Sequence, residues 1–509
     1  MKKILLSDVS ILAILVIAAG ALLHVAGIFQ PFLGNFAQHQ TDYATVVQRW
    51  LATSIDPLNP VMRFLAHGKN RLFYGDFPLN VTIVAIFCKG TGWSIEAVGR
   101  GLSAFYFFAS LYPFYRLLQL VIKDRTIVLW SLFFYSFSPL TLIYGQSFLL
   151  EMSALTFGIF AYYCFFRWYY GSPARWLMGS ALFFSLTLAT RIYFAPAYLP
   201  ILILLCRRYR LKIFKQGTLY LFLLAGTVLP ILWHIYASLV AGARGDESSI
   251  LDNLRVFVLK GPTRLGEFIN PLKLIAPIFD IFVSKVVSPA GFVLAALGVY
   301  ACTKDYKKEI QFLCLVIASF ALLFVAAPRK FVEFEYYYLP FVPPMAILAA
   351  YFVRKLIAQM LIPKWGNFFL IVLAAAFSLR YAAAPMLVVP DEDRHVLESA
   401  RAVIRLVPPE ARVIASHGNS TSFLYYTDRD GWNFTLRESG LEVVRNFEDF
   451  EGTAVDRLER YRTQGAHYFA LSDKRWARQN PDFILYLKQR YALIYDTGHA
   501  MIFDLQRSA

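Results

Sequence analysis

The chain has 509 residues, of which 58% are hydrophobic, 17% aromatic and only 17% charged, with a formal net charge of +16. A soluble domain of this size could not keep that much apolar surface dry, so most of the chain is expected to face lipid. The basic excess is no nucleic-acid signature. Residues 1–385 hold 34 Lys/Arg against 16 Asp/Glu, and residues 386–509 hold 16 against 18. The positive charge thus belongs to the apolar part, where it orients helices or meets anionic headgroups and phosphates.

Met1-Lys2-Lys3 opens an apolar run at 5–28 with no persuasive small-residue cleavage site, which predicts an uncleaved first span. A polar outer loop at 29–96 follows, containing Gly34-Asn-Phe-Ala-Gln-His-Gln-Thr-Asp-Tyr43 and Tyr74-Gly-Asp-Phe-Pro78. Inside it, 78–95 is short for a span, and a full crossing there would flip every later loop. A helix lying in the outer interface is expected instead. Further apolar runs lie near 97–119, 126–144, 148–168, 176–190, 217–240, 286–302, 310–327, 336–353 and 366–385, with a shorter one at 192–206. Basic clusters at Arg116/Lys123/Arg125, Arg167/Arg175, Arg207–Lys215, Lys304/Lys307/Lys308 and Arg354–Lys364 mark the cytoplasmic loops. The pattern predicts a mainly α, polytopic membrane protein of about eleven spans, N-terminus inside. No discontinuous midplane helices are evident. A second outer loop spans 241–285. From 386, polar helix patterns (Asp393–Arg405, Ala454–Thr463) alternate with β-rich runs (412–415, 467–471, 492–495, 500–503), separated by turns such as Asp428-Arg-Asp-Gly431. A small extracytoplasmic α/β domain at 386–509 is expected, its topology left open. The five cysteines all lie in apolar segments, so neither a disulfide framework nor a Cys-based zinc site is expected.

The candidate chemistry lies at the outer mouths of the spans, where ionisable groups are costly and tend to be kept for function. Asp76 precedes Phe77-Pro78, which pins its carboxylate at a turn. It suits a general base, a metal ligand or a sugar-hydroxyl acceptor; the plainer alternative is an N-cap. His39 and Asp42 share a helix face at i, i+3 and are catalytic or metal candidates, with His39 and Asp76 the possible ligands of a divalent ion. Glu151 starts an apolar helix, where it is either functional or simply meets the helix dipole. Arg63, Lys69, Arg71, Arg191, Arg329 and Lys330 are candidates for holding a lipid phosphate, with Tyr337 and Tyr338 beside them. Headgroup anchoring and an interfacial aromatic belt are their plainer explanations.

Several stretches together resemble the GT-C glycosyltransferases, specifically the bacterial relatives of protein O-mannosyltransferases and of the lipid A aminoarabinose transferase. They are Gly34–Trp50, Tyr74–Leu79, Glu96–Ser103, Phe137-Ser-Pro139 with Gln146–Trp168, and Glu335–Pro344, within residues 1–385. The resemblance implies a polyprenyl-phosphate-linked sugar donor and transfer to an acceptor hydroxyl on the outer side, usually with inversion. Asp76 matches the acid before the proline in the family's first loop, and Glu151 the acidic position at the second outer loop. One departure stands out. Members commonly carry Asp-Glu or a similar acid at the head of the first-loop helix, where this chain, aligned on Tyr43-Ala44, has His39-Gln40 with Asp42 as the nearest acid.

The expectation is therefore a glycosyltransferase of the inner (plasma) membrane, with no certain cofactor and a divalent metal possible. Its partners would be membrane lipid, the lipid-linked donor, and a glycan, glycolipid or protein acceptor, with no nucleic acid. The alternatives are a transporter or flippase of lipid-linked sugars and a catalytically silent glycan-binding scaffold. Trp432, Tyr425 and Tyr426 are candidate acceptor-selecting aromatics of the C-terminal domain.

Overall fold

The first outer loop and the C-terminal stretch share one seven-stranded sheet. The computed structural model describes residues 18, 20, 22–34, 36–66, 69–73, 75–244, 271–305, 307–326, 328–359, 364–391, 393–418, 420–436 and 452–509. Most of the expected first span and of the second outer loop, together with Tyr74, lie outside them. The chain divides into a helical unit (Met1–Ile28, Arg100–Trp233, Phe257–Leu387) and a sheet unit (Phe29–Gly99, His234–Val256, Val388–Ala509). The composition break at 385/386 thus falls close to a unit border. The polar loop, assigned from sequence to the membrane domain, groups with the C-terminal stretch instead.

In the sheet unit the strands are β1 (Val61–Ala66), β2 (Lys69–Leu72), β3 (Val413–Ser416), β4 (Gly431–Asn433), β5 (Tyr468–Leu471), β6 (Ala492–Asp496) and β7 (Met501–Asp504). Their order is β2-β1-β4-β3-β5-β7-β6. The centre is parallel, with β1, β4, β3 and β5 aligned, while β2, β7 and β6 run antiparallel to their neighbours. β3 and β5 are buried along their whole length, as expected of central parallel strands. Ile414, Trp432, Phe434, Phe469, Phe503 and Leu487 form the centre of the core, each side chain contributing roughly 1.5–3 kcal/mol by burial. The Ala454–Thr463 helix starts at a capping box between Thr453 and Asp456, which satisfies two orphan backbone donors. A helix is present at Leu79–Thr91, within the 78–95 stretch, with Ile86, Phe87 and the following Trp93 exposed.

The helical unit follows the predicted apolar runs closely. Helices cover Ile95–Val121, Arg125–Ser136, Glu151–Tyr169, Arg175–Thr190, Ser288–Asp305, Lys307–Ala326, Val342–Ala358 and Lys364–Leu387. Asp124 caps the Arg125–Ser136 helix and accepts from Arg354 Nε at 2.6 Å, tying two of the expected cytoplasmic loops together. Among the described residues, two helical stretches (Gly217–Val240 and Glu335–Ala358) are long and apolar enough to cross a bilayer on their own. A third crossing is available if the pair Ile275–Val286 and Ser288–Tyr300, bent by 96°, counts as one. The eleven of the sequence pattern include runs, the first among them, that lie partly or mostly outside the described residues. The bent pair is a broken span or a re-entrant loop. Its break falls at a single-turn π-helix, Phe282–Val286, followed by Ser288 with a left-handed φ of 63°. Further breaks are the 3₁₀ turns Ile192–Ala197 and Glu335–Phe341, containing Pro196 and Pro340, whose missing N–H cannot continue an α-helical ladder.

Candidate active site

In the sheet unit the site is built on the Ala37–Ala52 helix. The chain enters it through two left-handed residues, Gly34 (φ 77°) and Phe36 (φ 57°). Gly34 N donates to Asp393 Oδ2 at 2.7 Å. The other oxygen of Asp393 lies 2.7 Å from His417 Nε2, and His417 Nδ1 lies 2.7 Å from Ser472 Oγ. This buried relay pins the helix entrance to the ends of β3 and β5.

Along the helix, His39 and Asp42 stand one turn apart as predicted, and the His39 ring stacks on Phe36. Asp42 Oδ1 accepts from Thr421 Oγ1 at 3.0 Å, and Thr421 Oγ1 lies 3.0 Å from Thr41 Oγ1. Burial pushes the Asp42 carboxyl up to about 6, against the lowering pull of the Thr421 hydroxyl and the Arg71 charge. That value suits a base working near neutral pH. Asp76 is not a helix cap: the N-cap of Leu79–Thr91 is Pro78, and Asp76 Oδ2 accepts from Tyr43 Oη at 3.1 Å. Its charge also reaches His234.

The first-loop cations divide. Arg71 acts on Asp42, and Lys69 opens β2 opposite Ala66. Arg63, a phosphate candidate, is paired within the sheet unit. Its guanidinium is bonded to Asp428 and, at 2.9 Å, to Asp430, while Arg49 pairs with Asp430 at 3.2 Å. Those partners anchor the loop to the turn before β4. Of the three aromatics considered as acceptor readers, Trp432 packs on Tyr461 in the core, Tyr425 donates to Glu96, and Tyr426 accepts from Phe32 N.

In the helical unit the polar residues gather on the helix breaks. Glu151, first residue of its helix and fully buried, pairs with Arg191 Nη2 at 2.6 Å. Arg191 also lies over the Tyr336 ring, 5.7 Å from its centroid. Tyr193 packs against Tyr337 with ring centroids 4.6 Å apart. Lys285, on the π-turn, pairs with Glu335 at 2.8 Å. Sequence reasoning passed over Lys285, the last residue of the expected second outer loop. Lys330 is exposed and pairs with Glu333 at 3.4 Å, and Arg329 lies in the short Pro328–Glu333 helix. Tyr338 is fully buried, and its hydroxyl donates to Phe331 O at 3.0 Å.

Among the described residues, no group of three or more His, Cys, Asp or Glu side chains is gathered as a metal ion would require.

No protein-family model and no curated protein matches the chain. Solved structures do. ArnT from Cupriavidus metallidurans, bound to undecaprenyl phosphate, superposes with a TM-score of 0.63 at 10% identity, covering 96% of this chain and 97% of that one. The archaeal oligosaccharyltransferase AglB from Archaeoglobus fulgidus, in complex with an inhibitory peptide and a dolichol-phosphate, gives 0.57 at 13% identity, covering 96% and 73%. The arabinofuranosyltransferase AftD from Mycobacteria gives 0.53 at 14%, covering 91% of this chain and 35% of that one. The chain has the GT-C glycosyltransferase fold. At these identities the likeness to GT-C proteins is one of fold. It spans both units, including the C-terminal stretch that the sequence motifs left uncovered.

Proposed function

We propose that the protein is an integral-membrane glycosyltransferase that moves a sugar from a polyprenyl-phosphate-linked donor to an acceptor hydroxyl on the extracytoplasmic side. The observation that carries this reading is the fold likeness over nearly the whole chain to a protein bound to undecaprenyl phosphate and to another in complex with a dolichol-phosphate. The eleven-span arrangement in the inner membrane, N-terminus cytoplasmic and C-terminal stretch outside, belongs to the same proposal.

Asp42 accepts the proton of the acceptor hydroxyl, its carboxyl poised near 6 for that task. The acceptor oxygen forms the new bond to the anomeric carbon as the bond from that carbon to the donor phosphate breaks. The electron pair leaves with the polyprenyl phosphate, so no general acid is needed. Within the helical unit, Arg191, Lys285 and Lys330 are cations suited to a phosphate, since such charges stabilise it more strongly as the glycosyl bond breaks. Asp76, held by Tyr43, orients the acceptor, and His39 flanks Asp42.

The test uses purified full-length protein with a panel of polyprenyl-phosphate sugars and mixed glycan, glycolipid and peptide acceptors, with and without EDTA. Acceptor-dependent release of polyprenyl phosphate, read by mass spectrometry, is the expected result and names the sugar. Tight donor binding with no release from any sugar would overturn the enzymatic reading in favour of a silent scaffold or transporter.

A further inference from the structure

The acid assigned as base does not stand alone on its helix. Thr421, 379 residues further along the chain, donates its hydroxyl proton to Asp42 Oδ1 at 3.0 Å. Thr41 stands on the same helix as Asp42, and its Oγ1 is 3.0 Å from Thr421 Oγ1. Thr41 is fully buried and Thr421 nearly so. Thr421 has one proton to give. With Asp42 ionised, that proton points to the carboxylate, while the Thr41 proton is shared among the Ala37 and Gln38 carbonyls, each 2.9 Å away, and the Thr421 oxygen. With Asp42 protonated, the carboxyl can donate to Thr421, whose proton then turns toward Thr41 or the Gln38 carbonyl 3.4 Å away. Such a chain of hydroxyls polarises in one sense and strengthens the bond to the charged form.

Thr421 is itself held from both sides. It begins the Ser422–Thr427 helix, the next part of which touches the loop at Phe32 N through Tyr426 and at Glu96 through Tyr425. The His417–Asp393–Gly34 relay fixes the loop entrance from the same region. The C-terminal stretch therefore supplies a wall of the acid's environment rather than an appendage.

We propose that Thr421 is a positioning residue for Asp42, its hydroxyl holding the carboxylate in the orientation and charge state needed to take a proton from the acceptor. The proposal rests on the glycosyltransferase reading for the proton's source, and its structural half stands without it. The groups acting on Asp42 are Thr421 from the turn after β3 and Arg71 from β2. Losing the hydroxyl leaves Arg71 as the one lowering influence of the two, so the carboxyl should titrate at a higher pH.

The test is an infrared titration of the full-length protein in lipid, following the protonated-carboxyl band that Asp42→Asn removes. Thr421→Val should move its midpoint up by about one pH unit, the equivalent of a hydrogen bond to a charged group. Thr421→Ser should return it to the wild-type position. Thermal melting of each variant shows that the shift is read on folded protein. In the transfer assay, the acid limb of the kcat profile should move with the infrared midpoint while KM for the donor stays fixed. An unmoved midpoint in Thr421→Val, or a midpoint not restored by Thr421→Ser, would overturn the proposal. A moved midpoint in a protein that transfers no sugar would keep the link between Thr421 and Asp42 and remove the glycosyltransferase reading.

Discussion

Glu151 in the helical unit and Asp42 in the sheet unit are both acids drawn out of water, and they are held in opposite ways. Glu151 has a guanidinium at 2.6 Å, so its charge is matched at short range. Among the described residues, Asp42 accepts from one hydroxyl at 3.0 Å and feels the charge of Arg71, and burial dominates. A matched carboxylate is a strut, since protonating it would strand the arginine. An under-matched one exchanges its proton near working pH, which is what a base requires.

The largest effect that would test this contrast is catalytic. Asp42→Asn should reduce transfer by roughly 10²–10⁴-fold, the usual contribution of a general base, with folding retained as judged by gel filtration and melting. Asp76→Asn, measured beside it, should cost less; a larger loss there would move the base to Asp76. In the helical unit the corresponding change acts on stability. Glu151→Ala should destabilise by about 1–3 kcal/mol because it removes the carboxylate of a largely shielded ion pair, seen as a lowered melting temperature in detergent.

Each region also has a glycine at a point of close backbone approach. A Cβ on Gly431 would lie 1.9 Å from the Val413 carbonyl oxygen in β3, and one on Gly298 would lie 1.9 Å from that of Leu348 in the facing helix. Gly431→Ala should displace β4 and Gly298→Ala should force its two helices apart, each lowering the melting temperature by the equivalent of roughly 1–3 kcal/mol. Equal losses would show that both units limit the stability of the whole.

A smaller effect concerns pH. The folded Asp42 carboxyl, raised to about 6 from an ordinary value of 3.8, favours the protonated form. Its contribution to stability is therefore fully present below the unfolded value near 3.8 and is lost as pH rises through about 6. Asp42→Asn should melt higher than wild type at pH 8 and close to it at pH 4, while wild-type transfer should fall as pH drops below about 6. The smallest expected effect is at Lys330. Its exposed pair with Glu333 is worth no more than about 0.5 kcal/mol, so Lys330→Ala should leave melting unchanged. A raised KM for the donor would assign it to the phosphate.

Local pattern made much of this legible. The helix boundaries at 97–119, 148–168 and 176–190 lie within a few residues of the observed ones, because apolar runs of that length bounded by charge or Pro have few other solutions. Four of the seven strands were readable for the same reason. The other three were not. β1 and β2 lie in a polar loop whose alternation is weak, and β4 is the three-residue tail of what reads as a turn, Asp428-Arg-Asp-Gly431. Each becomes a strand because a neighbour distant in sequence offers its unpaired backbone groups, as when Phe64 meets Gly431.

The candidate site divides along the same line. The sequence by itself determined which residues were chemically eligible: the i, i+3 pairing of His39 with Asp42, the acid before Pro78, and the acid heading an apolar helix. It also determined the helix-breaking prolines at 196 and 340 that set tyrosines and Arg191 on 3₁₀ turns or at their edges. Only the tertiary structure decided what each eligible group does. It matched Glu151 to Arg191, tied Arg63 to Asp428 and Asp430, closed Tyr338 into the core, and gave Asp42 the hydroxyl of a residue 379 positions away. The physical reason is that a charge's state is set by what lies within a few ångströms of it, and in a folded chain those neighbours are chosen by topology rather than by spacing along the sequence.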